Sequence, residues 1–288
     1  MSKLIAINGV ELSVDDQGEG LAVVLIHGFP ELAYSWRHQV PALVDAGYRV
    51  ISYDARGYGA SSKPDDLDAY TLTALVDDVI GILDYFELED ATLIAHDWGT
   101  IVMYSAAVAY PERVSRIVSL TAPYRGACWG FPPISAIKDQ LADRFAYILM
   151  FHHGDAAERG FEADPDGWLN AFYLGGSRGK AFMTDEEFRV YADAFIAGGI
   201  TGPVNWYRNI DRNNAEWAHH LNAVIDQPTL VIASDDDPVL PVTLLEGMGK
   251  WVPKLETTII ANTGHWTQQE SPVEVNEALV AWLRVADG

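Results

Sequence analysis

The segment Ala91–Pro111, ATLIAHDWGTIVMYSAAVAYP, joins a short apolar run almost directly to a long apolar helical pattern. The run is typical of a buried strand, and the pattern after it is typical of a helix. The corner between them holds Asp97, with Ala95 two residues before it and Gly99 two residues after it. An abrupt strand-to-helix corner strains the backbone, and small neighbours let the two elements approach closely. We therefore expect the Asp97 side chain to project over the strand ends; the alternative is a helix N-cap, a position that Asp favours.

The composition is that of a protein with a sizeable core and an acidic surface. Of 288 residues 49% are hydrophobic, and 41 acidic against 19 basic residues give a formal charge of −22. Such a charge disfavours nucleic acid and anionic membranes as partners, and argues weakly against anionic substrates. No apolar stretch reaches the roughly 18 residues of a membrane span, and the N-terminus lacks a secretory pattern. With Cys128 as the only cysteine, an internal disulfide is impossible, and we expect a cytoplasmic protein.

Apolar, β-branched runs alternate with helical patterns along most of the chain. The runs predict buried strands over Leu21–Ile26, Tyr48–Tyr53, Ala91–Ala95, Ser115–Ala122, Pro228–Ala233 and Leu255–Ala261. The first sixteen residues alternate like a strand hairpin. Helical apolar faces lie in Thr71–Phe86, Thr100–Tyr110 and Pro272–Val285. This order predicts an α/β fold, with a mostly parallel central sheet and helices on both faces.

The alternation stops for a long internal block that is rich in aromatic residues, Gly and Pro. Within it, Arg144–Gly154 and Asp185–Gly199 have helical spacing. A block of this length between two core strands is too long for a loop, so we interpret it as an inserted helical lid. The predicted organisation is a core formed by residues 1–123 and 222–288, with the lid over residues 124–221.

Another predicted strand runs into the segment His27–Pro30, HGFP. Gly28 permits an unusual turn, which would leave the N–H of Phe29 free to point into the crevice at the strand ends. With the N–H of Trp98, it would form a two-donor oxyanion hole. The alternative is an ordinary turn from a strand into a loop.

Two later strands also end near residues suited to proton transfer. Pro228–Ala233 leads into the acidic cluster Ser234–Asp237, and His265 follows another strand in a Gly-containing loop. Open α/β sheets place active residues at the carboxyl ends of their strands. If each segment is considered alone, the alternatives are that the acidic cluster is a solvated loop and that His265 has no catalytic role. Taken together with Asp97, they give the chain order of nucleophile, acid and histidine in α/β-hydrolases.

On these motifs the chain resembles the epoxide hydrolases of the α/β-hydrolase fold over nearly its whole length. The matching segments are HGFPE (His27–Glu31), DARGYGASSKP (Asp54–Pro64), AHDWGT (Ala95–Thr100), DDPVLP (Asp236–Pro241) and GHWTQQESP (Gly264–Pro272). HGFP and GHW are shared with other α/β-hydrolases, whereas an Asp corner is found mainly in epoxide hydrolases and dehalogenases. In the family, the acid directly precedes a Pro-Val pair, which implies Asp237 rather than Asp235 or Asp236.

A carboxylate nucleophile favours attack on an sp³ carbon that bears a leaving group. With an unperturbed pKa of about 3.9, Asp97 is ionised at neutral pH and needs no base. The product would be an alkyl-enzyme ester, which His265, oriented by Asp237, would hydrolyse by activating water. The N–H groups of Phe29 and Trp98 would stabilise the oxyanion of that second step.

The leaving group separates the two substrate classes that remain, epoxides and alkyl halides. An opening epoxide leaves as an alkoxide and needs a proton, which a tyrosine hydroxyl can donate, whereas a halide needs none. Tyr147 in DRFAYILMFHHG and Tyr207 in TGPVNWYRNIDRN lie in segments that resemble the lid segments carrying the ring-opening tyrosines of epoxide hydrolases. We expect both tyrosines to line the substrate site with Phe29 and Trp98; core packing is the alternative for a tyrosine alone.

We therefore predict an epoxide hydrolase that acts on a small, mostly apolar epoxide, as a monomer or homodimer. A haloalkane dehalogenase is the alternative, but such enzymes usually carry Asn after the His-Gly pair, where this chain has Phe29. A catalytically inactive binding or signalling homologue would be expected to have lost one of the residues above. No cofactor is implied, because Arg56–Ser62, RGYGASS, lacks phosphate-loop spacing. No metal is implied either, because the adjacent pairs His152-His153 and His219-His220 would diverge by about 100° on a helix.

Overall fold

The computed structural model describes residues 2–127 and 130–286, so Cys128 lies outside the described residues. The strands of one sheet are β1 (Lys3–Ile7), β2 (Val10–Gln17), β3 (Ala22–Ile26), β4 (Arg49–Asp54), β5 (Ala91–His96), β6 (Val114–Leu120), β7 (Thr229–Ser234) and β8 (Leu255–Ile260). Their order in the sheet is β1-β2-β4-β3-β5-β6-β7-β8. β2 pairs antiparallel with β1 and β4, and every other neighbouring pair is parallel. The predicted α/β class is confirmed.

Helices cover both faces of the sheet and fill the long interval between β6 and β7. They are α1 (Gln39–Asp45), α2 (Leu72–Tyr85), α3 (Trp98–Ala109), α4 (Ile134–Gln140), α5 (Ala146–Phe151), α6 (Ala156–Ala163), α7 (Pro165–Gly176), α8 (Asp185–Gly198), α9 (Thr201–Arg208), α10 (Ile210–Glu216), α11 (Thr267–Glu270) and α12 (Pro272–Ala286). Alternate residues of β3 serve the two faces, as a strand's period of two requires. Val23 and Leu25 pack in a cluster with α1 and α12, whereas Val24 and Ile26 pack in the cluster that holds α2 and α3.

The inserted helical region consists of α4 to α10, as predicted. The helix predicted over Arg144–Gly154 is shorter in the structure and is limited to α5, whereas Asp185–Gly199 corresponds closely to α8. The start of α8 is well specified, because the Thr184 side chain accepts from the N–H of Glu187 and the Glu187 carboxylate accepts from the N–H of Thr184. The lid limits of 124 and 221 stay predictions.

The turns explain where the predicted strands end. The N-terminal hairpin turns at Asn8 and Gly9, which have φ of 50° and 79°, in keeping with the tight Asn-Gly turns that join antiparallel strands. The strand predicted as far as Ala122 ends earlier, at Leu120, because Thr121 adopts a φ of 70° that a strand does not permit. Among the described helices, none is both long and apolar enough to cross a membrane.

The inserted helices are fastened to the sheet by buried contacts. The indole of Trp206 on α9 donates to the backbone oxygen of Arg56 at 3.1 Å, and the Tyr173 hydroxyl on α7 donates to the Pro30 oxygen at 2.6 Å. One continuous hydrophobic cluster contains residues of β1 to β7, of α2 and α3, and of the inserted helices. The buried side chains of the inserted helices therefore belong to the same hydrophobic core as those of the sheet.

Candidate active site

Asp97 lies at the corner between β5 and α3 with φ 50° and ψ −121°, a strained backbone for a residue with a side chain. Gly99 is required there, because a Cβ at this position would lie 2.3 Å from the Ile26 backbone oxygen. The Asp97 side chain makes no capping bond to α3 within the described structure. Its Oδ1 instead accepts from the N–H of Phe29 at 2.8 Å. Asp97 therefore occupies the N-cap position of α3, but its side chain does not cap the helix.

Gly28 serves a different purpose from the one predicted. It is absent from the described glycines with positive φ, so no unusual turn demands it. A Cβ at Gly28 would lie 2.5 Å from the Cβ of Asp97, which leaves no room for any side chain. The glycine therefore allows the HGFP segment to approach the corner closely enough for Phe29 to reach the carboxylate.

His265 joins the two predicted carboxylates. Its Nδ1 lies 2.9 Å from Oδ2 of Asp237, and its Nε2 lies 3.5 Å from Oδ2 of Asp97. Asp237 is fixed in turn by the N–H groups of Val239 and Leu240, which donate to its Oδ1 at 2.7 and 2.9 Å. The histidine therefore lies between two carboxylates at the carboxyl ends of three strands.

The other acids of the cluster point elsewhere. Asp235 accepts from the N–H of Asn262 at 2.8 Å, and Asp236 forms an ion pair with Arg178 at 2.6 Å. Asp237 is therefore the member of the cluster that meets His265.

The pKa values of His265 and Asp237 shift in opposite directions, as expected of an interacting pair. Burial alone would lower the pKa of His265, but the charge and hydrogen bond of Asp237, joined by those of Asp97, raise it well above its usual range. Burial alone would raise the pKa of Asp237, but the charge and hydrogen bond of His265 hold it below its usual range. The site thus stabilises an imidazolium flanked by carboxylates.

The two predicted tyrosines meet across the inserted helices. Tyr147 on α5 and Tyr207 on α9 have ring centroids 5.8 Å apart. Burial first, then the Asp97 charge, raises the pKa of Tyr147 above its usual range. Burial, Tyr147 and the Asp97 charge raise the pKa of Tyr207 well above its usual range. Both hydroxyls therefore carry their protons at neutral pH and lie within the field of the Asp97 carboxylate.

A cavity of about 350 Å³ opens beside the carboxylate, and both Asp97 and Tyr147 line it. Phe29, Trp98 and Tyr207 are not part of its lining, so their contact with the substrate stays a prediction. Their rings are buried against one another instead, with Tyr207 5.0 Å from Phe29 and 5.0 Å from Trp98. The N–H of Phe29 reaches Asp97, whereas the described structure shows no hydrogen bond from the N–H of Trp98 to that carboxylate. Trp98 as an oxyanion donor stays a prediction.

Comparison with known proteins places this geometry in a family. Residues 22–272 match the model of the alpha/beta hydrolase fold. Epoxide hydrolase A of Mycobacterium tuberculosis is 36% identical, over 98% of this chain and 96% of that protein. The crystal structure of Epoxide Hydrolase A from Mycobacterium thermoresistibile superimposes with a TM-score of 0.91, at 37% identity over 99% of this chain and 98% of that one. The chain belongs to the epoxide hydrolases of the α/β-hydrolase fold.

This epoxide hydrolase is therefore an ether hydrolase, as the sequence predicts. It is also similar to Bifunctional epoxide hydrolase 2 of Sus scrofa, with 35% identity over 96% of this chain but only 53% of that longer protein. The comparisons establish the activity.

A buried polar network behind the corner was not predicted. Glu31 is fully buried, and its Oε2 lies 2.6 Å from Nδ1 of His96 and accepts from the N–H of Gly28 at 2.9 Å. Nε2 of His96 lies 2.8 Å from the backbone oxygen of His265. The network thus links HGFP, the corner and the histidine loop of the epoxide hydrolase.

Two features of the sequence indicate this network. Glu31 closes the matching segment HGFPE, and His96 directly precedes Asp97. A charged residue inside an otherwise apolar turn is almost never buried without a partner. Burial alone would raise the pKa of Glu31, but the charge and hydrogen bond of His96 lower it to about 2.

Proposed function

We propose that this epoxide hydrolase converts an epoxide and water to a vicinal diol through an alkyl-enzyme ester on Asp97. The observation that carries this proposal is the carboxylate itself: Oδ1 is held by the Phe29 N–H at 2.8 Å, while Oδ2 faces His265 at 3.5 Å. One oxygen is thereby positioned for an oxyanion hole and the other for attack. The apolar side chains that make up most of the cavity lining fit the hydrocarbon part of an epoxide substrate.

In the first step, Oδ2 of Asp97 attacks one epoxide carbon and the carbon–oxygen bond of the ring breaks. The bonding pair moves onto the ring oxygen, which takes a proton from the hydroxyl of Tyr147 or Tyr207. The products are a hydroxyalkyl ester and one tyrosinate, and the second tyrosine shares the developing charge. Positioned general acids of this kind contribute about 10²- to 10⁴-fold to a rate.

In the second step, His265 removes a proton from water as the water oxygen attacks the ester carbonyl carbon. The oxyanion forms on Oδ1, where the Phe29 N–H donates to it. Collapse breaks the bond between the carbonyl carbon and Oδ2, so the old Oδ2 leaves with the diol. The carboxyl proton passes to the diol oxygen and the proton on His265 returns to the tyrosinate, while Asp237 stabilises the imidazolium between these events.

The tyrosines provide the test, because only epoxide opening needs their protons. Tyr147→Phe and Tyr207→Phe should each slow ester formation from an epoxide by roughly one to three decades, and the double variant should form almost none. Ester formation from an alkyl bromide of matched shape should be insensitive to all three changes, since bromide leaves without a proton. The measurement is pre-steady-state alkylation, followed by intact mass, on both substrates.

Tyr110→Phe is the matched control, because Tyr110 lies at the opposite end of α3 and its hydroxyl donates to Asp77 at 3.2 Å. Its alkylation rate should equal that of the wild type. Undiminished epoxide opening by the double variant, or a wild-type preference for the bromide, would refute the proposed role of the tyrosines.

A further inference from the structure

The cavity beside Asp97 differs in charge from the rest of the molecule. The chain has a formal charge of −22, yet the charged side chains that line this cavity are Asp97, Arg125 and Arg144. Two guanidinium groups against one carboxylate leave the lining with one net positive charge. A positive concave surface on an acidic protein concentrates anions at that place.

Neither arginine is neutralised by a carboxylate of the protein. Within the described residues, Arg125 forms no hydrogen bond or ion pair, and Arg144 donates to the backbone oxygen of Val239 and lies 5.2 Å from the ring centroid of Phe145. Other arginines of the inserted helices are paired; Arg159, for example, forms an ion pair with Asp155. A guanidinium has five N–H donors, so most of those at the cavity are open to a ligand.

The two charges stand at the edge of an apolar lining. The same cavity is lined by the apolar side chains of Ile101, Phe131, Leu141, Phe145, Leu240 and Leu244. The Arg144 charge also acts on Tyr147, where it partly offsets the rise in the pKa of that hydroxyl. Because Arg144, Tyr147 and Asp97 line the same cavity, one ligand can span the arginine and the reacting carboxylate.

We propose that the preferred substrates are aliphatic epoxides whose chain ends in a carboxylate, which Arg125 and Arg144 bind while the epoxide meets Asp97. This inference rests on the proposed function, because it assumes that the ring opens at Asp97. A carboxylate suits the site, since the planar guanidinium fork matches its two oxygens. The apolar lining accommodates the chain, and the anion stays at the wetter edge, where both arginines are exposed.

The test compares a terminal epoxide on an aliphatic carboxylic acid with its methyl ester, over several chain lengths. The wild type should show a kcat/KM about tenfold or more higher for the acid than for the ester at the best length. Arg125→Gln and Arg144→Gln should each lower this ratio by about three- to tenfold, and the double variant should bring it near one. Added salt should also reduce the ratio, because it screens exposed charges.

Arg159→Gln is the matched control: it removes one exposed positive charge from the inserted helices without touching the cavity, and its ratio should remain that of the wild type. Equal kcat/KM for acid and ester in the wild type, or a preference that survives in the double variant, would overturn this proposal alone. If the enzyme turned over neither compound and no neutral epoxide, the proposed function would be overturned together with this proposal.

Discussion

At the scale of single residues, the site depends on one strained corner and the groups that face it. Asp97 adopts a backbone conformation that costs about 1–3 kcal/mol in a residue other than glycine. The strained conformation is held in place by the surrounding backbone, because Gly28 and Gly99 let two backbone segments pack closely around the corner. The carboxylate is thereby held between a backbone donor and His265 instead of capping the helix.

His265 should be needed for hydrolysis of the ester but not for its formation. His265→Gln should still form the ester with an epoxide and then stall, so the adduct should accumulate in intact-mass spectra. The wild type should accumulate adduct as the pH falls, because a protonated imidazole cannot accept a proton from water. The raised pKa of His265 moves this loss toward higher pH, although esterification removes the Asp97 charge and part of that rise.

The control for this experiment is the double variant Asp97→Ala/His265→Gln, which should gain no mass under the same conditions. An adduct on the double variant, or none on His265→Gln with a substrate that the wild type consumes, would contradict the two-step scheme.

At the scale of elements, a buried network ties three active-site segments to α11. Oε1 of Glu31 accepts from Gln268 and Gln269 at 2.9 and 3.1 Å, while its Oε2 faces His96 and Gly28. The carboxylate thus receives donors on both oxygens. Since His96 also contacts the backbone oxygen of His265, the network fixes the histidine loop relative to the corner.

Glu31→Gln should destabilise the fold by about 3–5 kcal/mol, because an amide nitrogen would face buried donors and leave His96 without its carboxylate. The lowered pKa of Glu31, about 2, also determines how the stability of the fold changes with pH. The stability from its ionised form is fully present above the unfolded pKa of about 4.3 and is lost as the pH falls toward 2. The difference between wild type and variant should therefore shrink at acid pH in urea unfolding.

Glu162→Gln, on the exposed face of α6, is the control and should change stability by less than about 0.5 kcal/mol at either pH. A Glu31→Gln variant as stable as the wild type at neutral pH would show that the network is not a structural requirement.

The elements were more predictable than the network. Most of the buried strands could be predicted because each is a short apolar run bounded by turn residues, and β5 differs from its prediction only by the inclusion of His96. The prediction of a buried strand over Leu255–Ala261 was wrong about burial, because β8 lies at the edge of the sheet and only Ile260 in it is buried. Asp237 and His265 could be placed at strand ends for the same reason. The limits of the short helix α5 and the partners of Glu31 could not be predicted, because both depend on packing between segments far apart in the chain. The sequence indicates that Gly28 is important, but the close approach to Asp97 that requires a glycine there is visible only in three dimensions.

At the scale of the whole molecule, the inserted helices and the sheet share one hydrophobic cluster. The ring centroid of Trp206 on α9 lies 5.4 Å from that of Tyr58, which follows β4. It lies 5.7 Å from that of Trp98, at the corner between β5 and α3. If the lid detached from the sheet, the apolar side chains that it contributes to the common core would become exposed to water. The lid therefore contributes to the stability of the sheet as well as to the cavity.

We expect the lid and the sheet to unfold together. Urea unfolding followed by tryptophan fluorescence and by far-ultraviolet circular dichroism should give coincident transitions with one midpoint. Trp206→Phe should lower that midpoint without splitting the transition, because it weakens packing on both sides at once. Two separate transitions, with the lid lost first, would contradict a shared core.

The most direct test of the account is the fate of oxygen in a single turnover in ¹⁸O water with enzyme in excess over epoxide. If Asp97 forms the ester and water attacks its carbonyl carbon, the label should enter the carboxylate of Asp97, and the diol should carry an unlabelled oxygen from the enzyme. Peptide mass spectrometry of the segment around Asp97, with the mass of the diol, reads both outcomes. Label found in the diol and absent from Asp97 would mean that water opens the ring directly, and would contradict the central claim.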